Sequence, residues 1–380
     1  MSAVIILGTG LAGYTLAREF RKLNQTTELK LITTDDGSNY SKPMLSTGFT
    51  KGKSADDLAM QSAEYMAETL NAQILTHCKV NAIDSDAHTI ELDSGETLEY
   101  SKLVLSLGAE PIRIPVEGNG SDKVFSVNDL SDYRIFRESL PEKGRVVILG
   151  AGLIGCEFAN DLRNGGHSVS VVALCEQLMP GLIPEAAAQA VQSSLVDEGV
   201  EFYLGQSIQS MTQEQDELTV KLSSGETLKA DLVLSAIGLK PRTALAAQAG
   251  LAVNKGIQVN PLLETSHQDI YALGDCAEVS GLNLQYVMPL MACARVLAKN
   301  LSGSPTAVKY GPMPVTVKTP ACPLVTAPPA TSAQGTWQVE LDGPNVRALF
   351  TDGKDLHGFA LTGSMTSDKV QLTRRLPSLL

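Results

Sequence analysis

The chain has 380 residues, 43% hydrophobic and 19% charged, which is the make-up of an ordinary globular protein and too much chain for one core. A net charge of −12 and a pI near 5.0 argue against binding a nucleic-acid backbone or an anionic membrane surface. Six scattered cysteines form no CxxC pair and no apolar run approaches the ~18 residues of a membrane span, so the expectation is a soluble, cytoplasmic protein with reduced thiols, no metal site and no targeting segment.

The first element is Val4-Ile5-Ile6-Leu7, which breaks into Gly8-Thr9-Gly10-Leu11-Ala12-Gly13 and resumes with helical periodicity. Strand, tight turn and helix are predicted. In such a unit Gly8 permits the sharp turn, Gly10 lets backbone N–H groups approach a pyrophosphate, and Gly13 lets the helix lie close on the sheet. The helix dipole adds about 0.3–1 kcal/mol for an anion at its N-terminus. Leu29 to Ile32 alternates as a second strand and ends in Thr33-Thr34-Asp35-Asp36, where the threonines or Asp35 could take ribose hydroxyls, or the stretch is a plain turn. Lys42, ahead of Pro43 and a predicted helix, is either a solvated lysine or a contact to a flavin or pyrophosphate.

From Ala72 the chain turns β-rich, with strands at Ile74-Leu75, Lys79 to Ile83 and Thr89 to Leu92, a hairpin at Asp93-Ser94-Gly95-Glu96 and a buried strand from Lys102 to Gly108. Pro111, Pro115, Gly118 and Gly120 read as a linker. The plan then repeats. Val146 to Leu149 runs into Gly150-Ala151-Gly152-Leu153-Ile154-Gly155, followed by a strand from Ser168, a helix near Pro184 to Glu198, strands at Phe202 to Leu204 and Leu218 to Leu222, a second hairpin at Ser223 to Glu226, and a buried strand from Asp231 to Gly238. Such a repeat predicts two dinucleotide domains, the second inserted into the first. Further on, Ile270-Tyr271-Ala272-Leu273-Gly274-Asp275 is a short strand ending in Gly-Asp, which either sets a carboxylate against a polyol hydroxyl or simply turns. Pro289 to Leu301 is helical, and from Tyr310 the tail mixes proline-rich turns with strands around Val317-Lys318-Thr319-Pro320.

In this order GTGLAG, YSKPMLS, GAGLIGCEFA, SAIGLKPRTALA and IYALGDCAE resemble the two-dinucleotide flavoprotein reductases of the glutathione-reductase structural class. With VKTP and a short C-terminal segment, the chain looks most like the NADH:rubredoxin reductases, which include the flavorubredoxin reductases. The resemblance implies an α/β fold of two Rossmann-like dinucleotide-binding domains plus a small α+β C-terminal domain. Residues 1–108 and 239–309 would bind FAD, residues 109–238 NAD(H), and residues 310–380 would form the small domain. The resemblance also implies that Gly8, Thr9, Gly10, Leu11, Ala12 and Gly13 lie along the FAD pyrophosphate and Thr33 and Thr34 near its adenosine ribose. Lys42 would approach the flavin side of the pyrophosphate, Val80 the adenine, Gly274 and Asp275 the ribitol, Val287 the flavin ring and Lys318 its pyrimidine edge. Gly150, Gly152 and Gly155 would carry NAD(H), with Glu157 either facing the nicotinamide or simply favoured in the first helical turn.

Two departures stand out against that pattern. Ala173 occupies the strand end where an NAD-type domain often has a ribose-binding acid, and no arginine there welcomes a 2′-phosphate. The stretch Leu45-Ser46-Thr47-Gly48 holds none of the redox cysteines of the disulfide and peroxide reductases, so electrons are expected to leave FAD directly for a protein acceptor. The expected function is electron transfer from NADH through FAD to a rubredoxin by a monomer, with no side chain as catalytic acid or base. A ferredoxin reductase for an oxygenase or P450 system shares nearly every motif, and a flavin-based NADH sensor is the reading from a different class. Lys42, Lys51, Lys53, Lys318, Lys369, Arg374 and Arg375 are candidates for a basic docking patch.

Overall fold

Apolar runs punctuated by glycine build two parallel sheets on one plan; the computed structural model describes residues 2–215 and 217–380. In the first unit β1 (Ala3–Leu7) leads through a glycine turn into α1 (Leu11–Leu23), followed by β2 (Leu29–Ile32), β3 (Gln73–Leu75) and β4 (Thr97–Leu105). These strands pair in parallel in the order β3-β2-β1-β4. All five residues of β1 are buried, as a parallel strand covered on both faces requires. The second unit repeats the order: β5 (Arg145–Leu149), α2 (Leu153–Asn164), β6 (Ser168–Ala173), β7 (Val200–Leu204) and β8 (Leu232–Ser235) form a parallel sheet β7-β6-β5-β8.

Each unit carries an antiparallel meander. In the first, Val80–Asp84 and Thr89–Leu92 fold onto β4; in the second, Ile208–Glu214, Glu217–Leu222 and Thr227–Ala230 form a three-stranded sheet. After the second unit the chain returns: β9 (Ile270–Ala272) pairs with β4 in the first sheet, and α3 (Val287–Leu301) packs against α1. The crossings between the units are Ala109–Pro111 and Leu239–Pro241, which pair antiparallel with each other. The C-terminal part is a five-stranded antiparallel sheet of Val315–Val317, Leu324–Ala327, Leu356–Thr362, Asn345–Thr351 and Thr336–Asp342. Among the described residues no helix is long and apolar enough to cross a membrane.

Several helices escaped the sequence reading, two of them with a clear side-chain cap. Ala63–Leu70 is capped by the Ser62 side chain, and Leu130–Ser139 by that of Asp129. Both caps satisfy an orphan N–H of the first turn. The strand Ile208–Glu214 was likewise unanticipated; it pairs with the strand that was expected at Leu218 to Leu222. One core cluster joins β1, β4, β9, α1 and α3. A second gathers Leu45 and Phe49 with the second unit and with Val317, Leu324 and Ala348, so a loop of the first unit packs into the core of the other two parts.

Candidate functional site

The two glycine turns are near-copies at the atomic level. Gly8 has φ +109° and Gly150 φ +111°, a backbone that side chains rarely adopt. A Cβ on Gly13 would fall 1.9 Å from the Gly8 carbonyl oxygen, and one on Gly155 2.0 Å from that of Gly150. The third glycine of each turn is therefore what lets the helix sit on its turn. The middle glycines differ: a Cβ on Gly10 or Gly152 would meet nothing within 4 Å. Gly10 and Gly152 are also the N-caps of α1 and α2, and neither helix has a side-chain cap. Both helices thus present unsatisfied N–H groups to open space beside a glycine, which fits the pyrophosphate of a dinucleotide.

The first cradle is closed by the returning chain. Gly274, at φ +77°, lies where a Cβ would come 2.9 Å from the Ala12 Cβ, so the Gly-Asp turn abuts the start of α1 next to Leu11. Asp275 follows in that turn, its Oδ2 3.8 Å from Lys42 Nζ. Lys42 opens the short helical segment Lys42–Thr47 and donates to Asn128 Oδ1 at 2.8 Å, while Asn128 donates to the Ala109 carbonyl at 3.0 Å. Burial holds the Lys42 ammonium below the ordinary lysine value, Asp275 opposing the shift and Arg242 adding to it. An anion here relieves that strain. Asn128 was not anticipated, and its one signal is its place just before the helix cap Asp129.

Asp35 turns into its own loop. Its Oδ1 accepts from Thr33 Oγ1 at 2.7 Å and the Gly37 N–H at 2.9 Å, with Thr9 Oγ1 at 3.4 Å. Thr33 is buried by this arrangement and Thr34 is exposed. Val80 begins its strand half-buried, and Val287, the first residue of α3, is exposed together with Tyr286 and Met288.

A single helix of the second unit grips the other two parts. On α2, Glu157 is fully buried. Its carboxylate accepts from Ser46 Oγ at 2.7 Å, from the Lys318 N–H at 3.0 Å and from Lys318 Nζ, with which it forms an ion pair. One turn on, Asn160 Oδ1 accepts from the Ala321 N–H at 3.0 Å, and Asp161 accepts from the N–H groups of Phe49 and Thr50 at 3.0 and 2.8 Å. Glu157, Asn160 and Asp161 share one helical face by their spacing. Neither Asn160 nor Asp161 was expected as a site residue, although three polar residues spaced i, i+3, i+4 along the apolar first part of the helix were there to be noticed.

Two lysines offered for a docking patch are engaged inward: Lys42 with Asn128 and Asp275, Lys318 with Glu157. Ser46, in the stretch where redox cysteines were sought, bears a hydroxyl. All six cysteines are free, and burial pushes the Cys156 thiol beside Glu157 up to about 12. It is inert as a nucleophile.

The fold and the paired cradles define a two-dinucleotide oxidoreductase. Residues 2–298 match the pyridine nucleotide-disulphide oxidoreductase family and residues 307–376 the rubredoxin binding C-terminal domain. The chain is 51% identical to a rubredoxin-NAD(+) reductase of Alcanivorax borkumensis over the whole of both chains. To one of Acinetobacter baylyi it is 46% identical, over all of this chain and 99% of that one. Among solved structures, a ferredoxin reductase from Rhodopseudomonas palustris superposes with a TM-score of 0.89 at 26% identity, covering 99% of this chain and 96% of that one. The chain belongs to the pyridine nucleotide-disulphide oxidoreductase family, and its full-length kin there include rubredoxin-NAD(+) reductases and nitric oxide reductase FlRd-NAD(+) reductases.

Proposed function

We propose that the chain oxidises NADH through FAD and passes electrons one at a time to a rubredoxin. The observation that carries this reading is the match of residues 307–376 to a rubredoxin binding domain in a chain whose cysteines are all free and unpaired. When bound, FAD supplies the chemistry that the side chains lack, accepting a hydride and giving up electrons singly. The chain's own groups bind, orient and screen.

In this reading the Gly8 to Gly13 turn and the open end of α1 take the FAD pyrophosphate, and Gly150, Gly152 and Gly155 take that of NAD(H). Lys42 neutralises phosphate charge. Asp275, brought against α1 by Gly274, offers its carboxylate to the ribitol. The exposed apolar side chains of Tyr286, Val287 and Met288 suit a flat aromatic ring. Lys318 and Glu157 stand where the three parts of the chain meet, and the lysine's cation suits the pyrimidine edge of the ring. Thr33, Thr34 and Val80 line the path towards the adenosine. Because Lys42 and Lys318 are engaged inward, docking of an acidic partner falls to the other candidates: Lys51 and Lys53, and the exposed Arg374 and Arg375, which follow the last helix, Lys369–Thr373, with Lys369 at its start.

The test is stopped-flow reduction of purified rubredoxin and, in parallel, of a [2Fe–2S] ferredoxin by the FAD-loaded enzyme and NADH. Rubredoxin is expected to reoxidise the flavin within milliseconds. Preference for the ferredoxin would make the chain a ferredoxin reductase, the reading favoured by the superposition on one. A long-lived reduced flavin that neither protein reoxidises would make it an NADH sensor.

A further inference from the structure

The second cradle lacks the acid that commonly ends the second strand of such a unit and takes the adenosine ribose. β6 ends on Ala173, which is buried. Three backbone hydrogen bonds fix the loop beyond it. The Gln206 N–H donates to the Ala173 carbonyl at 2.9 Å, the Gly205 N–H to the Cys175 carbonyl at 3.1 Å, and the Met179 N–H to the Ala151 carbonyl at 2.9 Å. The loop that carries Glu176 is thus tied on one side to Gly205 and Gln206, which follow β7, and at Met179 to Ala151 in the glycine turn.

Its carboxylate lies over Gly205. A Cβ there would meet Glu176 Oε1 at 2.7 Å and Oε2 at 3.0 Å, and Gly205 has φ +69°. A side chain at 205 would displace the carboxylate. Glu176 is exposed, and among the described residues it has no ion pair or hydrogen bond through its side chain. No lysine or arginine occurs from Val172 to Pro184, so this loop offers nothing to hold a 2′-phosphate.

We propose that Glu176 stands in for the missing strand-end acid: its carboxylate accepts from the 2′-hydroxyl of the NADH adenosine ribose and repels the 2′-phosphate of NADPH, with Gly205 keeping the space it needs. The inference rests on the reading that the second unit binds NAD(H). It adds a residue three positions past the strand end, on a loop rather than on the strand.

The test uses the FAD-loaded enzyme with ADP-ribose and 2′-phospho-ADP-ribose, which carry no nicotinamide and are not turned over. Calorimetry on wild type, Glu176→Gln, Glu176→Ala and Gly205→Ala reads binding directly. Wild type is expected to prefer ADP-ribose. Loss of a hydrogen bond to a charged group should weaken ADP-ribose binding by about tenfold or more in Glu176→Ala. Glu176→Gln keeps the shape without the charge and is expected to gain affinity for the 2′-phospho ligand. Gly205→Ala should shift selectivity the same way by moving the carboxylate. The flavin spectrum monitors folding; if the alanine variants lose FAD, the isosteric glutamine carries the test. A ratio of the two affinities unchanged within twofold in Glu176→Gln overturns the proposal. With NADH still reducing the flavin, that result leaves the proposed function standing. Failure of NADH to reduce the wild-type flavin overturns both.

Discussion

Removing the Lys318 ammonium tests whether the three parts of the chain are joined through Glu157. That carboxylate is fully buried and has three donors, the Ser46 hydroxyl, the Lys318 N–H and Lys318 Nζ. Lys318→Met leaves the first two and strips the charge partner. Breaking a buried ion pair from one side costs about 3–5 kcal/mol because the remaining charge is uncompensated. Lys318 is 30% exposed, so water reaches its end and the lower figure, about 3 kcal/mol, applies. Adding Glu157→Gln removes the stranded charge and should restore about 2 kcal/mol of the loss. Urea unfolding of the FAD-loaded enzyme, read by the only tryptophan, Trp337, in the C-terminal sheet, follows the affected part. A Lys318→Met loss below 1 kcal/mol, or a double variant no better than the single, would refute the reasoning.

Asp161→Ala should cost about 2–3 kcal/mol by taking a charged acceptor from the Phe49 and Thr50 N–H groups, and amide exchange should quicken at those two residues first; unchanged protection there counts against the contact. Gly155→Ala, forced against the Gly150 carbonyl, should lose stability by about 1–3 kcal/mol, whereas Gly152→Ala should fold normally and lose ADP-ribose affinity. Burial holds the His167 imidazole below its ordinary value of 6.5, with Arg137 adding to the shift and a backbone contact at Gly144 opposing it. The unfolded chain therefore binds that proton more tightly, and stability falls as pH drops from 6.5 towards the depressed folded value. The urea midpoints of wild type and His167→Gln should converge or cross as pH falls through this window; parallel curves would rule the histidine out. Reversing Arg374 and Arg375 to glutamate should slow rubredoxin reduction and flatten its salt dependence, measured as initial rates at two ionic strengths.

The parallel strands and glycine turns were legible because their signals are local: an apolar run, a glycine at positive φ, a helical period. The antiparallel hairpins announced themselves through Asp-Ser-Gly-Glu and Ser-Ser-Gly-Glu. What escaped was long-range. Asn128 belongs with Lys42 only because two segments 86 residues apart are brought together beside the crossing strand Ala109–Pro111. Asp161 looks like a surface acid on α2 until a loop 111 residues earlier supplies its N–H donors. The pairing of Lys318 with Glu157 was equally hidden: the resemblance set one at the flavin's pyrimidine edge and left the other facing the nicotinamide or simply favoured in the first helical turn, and 161 residues separate them. Helix Leu130–Ser139 was missed for a different reason: the linker reading of the preceding prolines and glycines masked the cap at Asp129.

The internal repeat locates where the two units part company in function. Aligning Gly13 with Gly155 sets Glu157, Asn160 and Asp161 of α2 opposite Thr15, Arg18 and Glu19 of α1. On α1 this face stays within its own unit, Arg18 reaching Gln61 and Met66. On α2 it carries the bonds to Ser46, Phe49 and Thr50 of the first unit and to Lys318 and Ala321 of the C-terminal part. Both copies keep the same cradle, so the difference lies in what surrounds it. Disulfide exchange needs a thiolate in the loop at Ser46, and here a hydroxyl there is spent as a donor to a buried carboxylate. In the proposed function the helix that would offer its N-terminus to NAD(H) also fixes the Ser46 loop and Lys318, which that reading sets beside FAD. Short, fixed geometry between two cofactors is what direct transfer demands. A helix tied at both flanks supplies it without any side chain entering the redox chemistry.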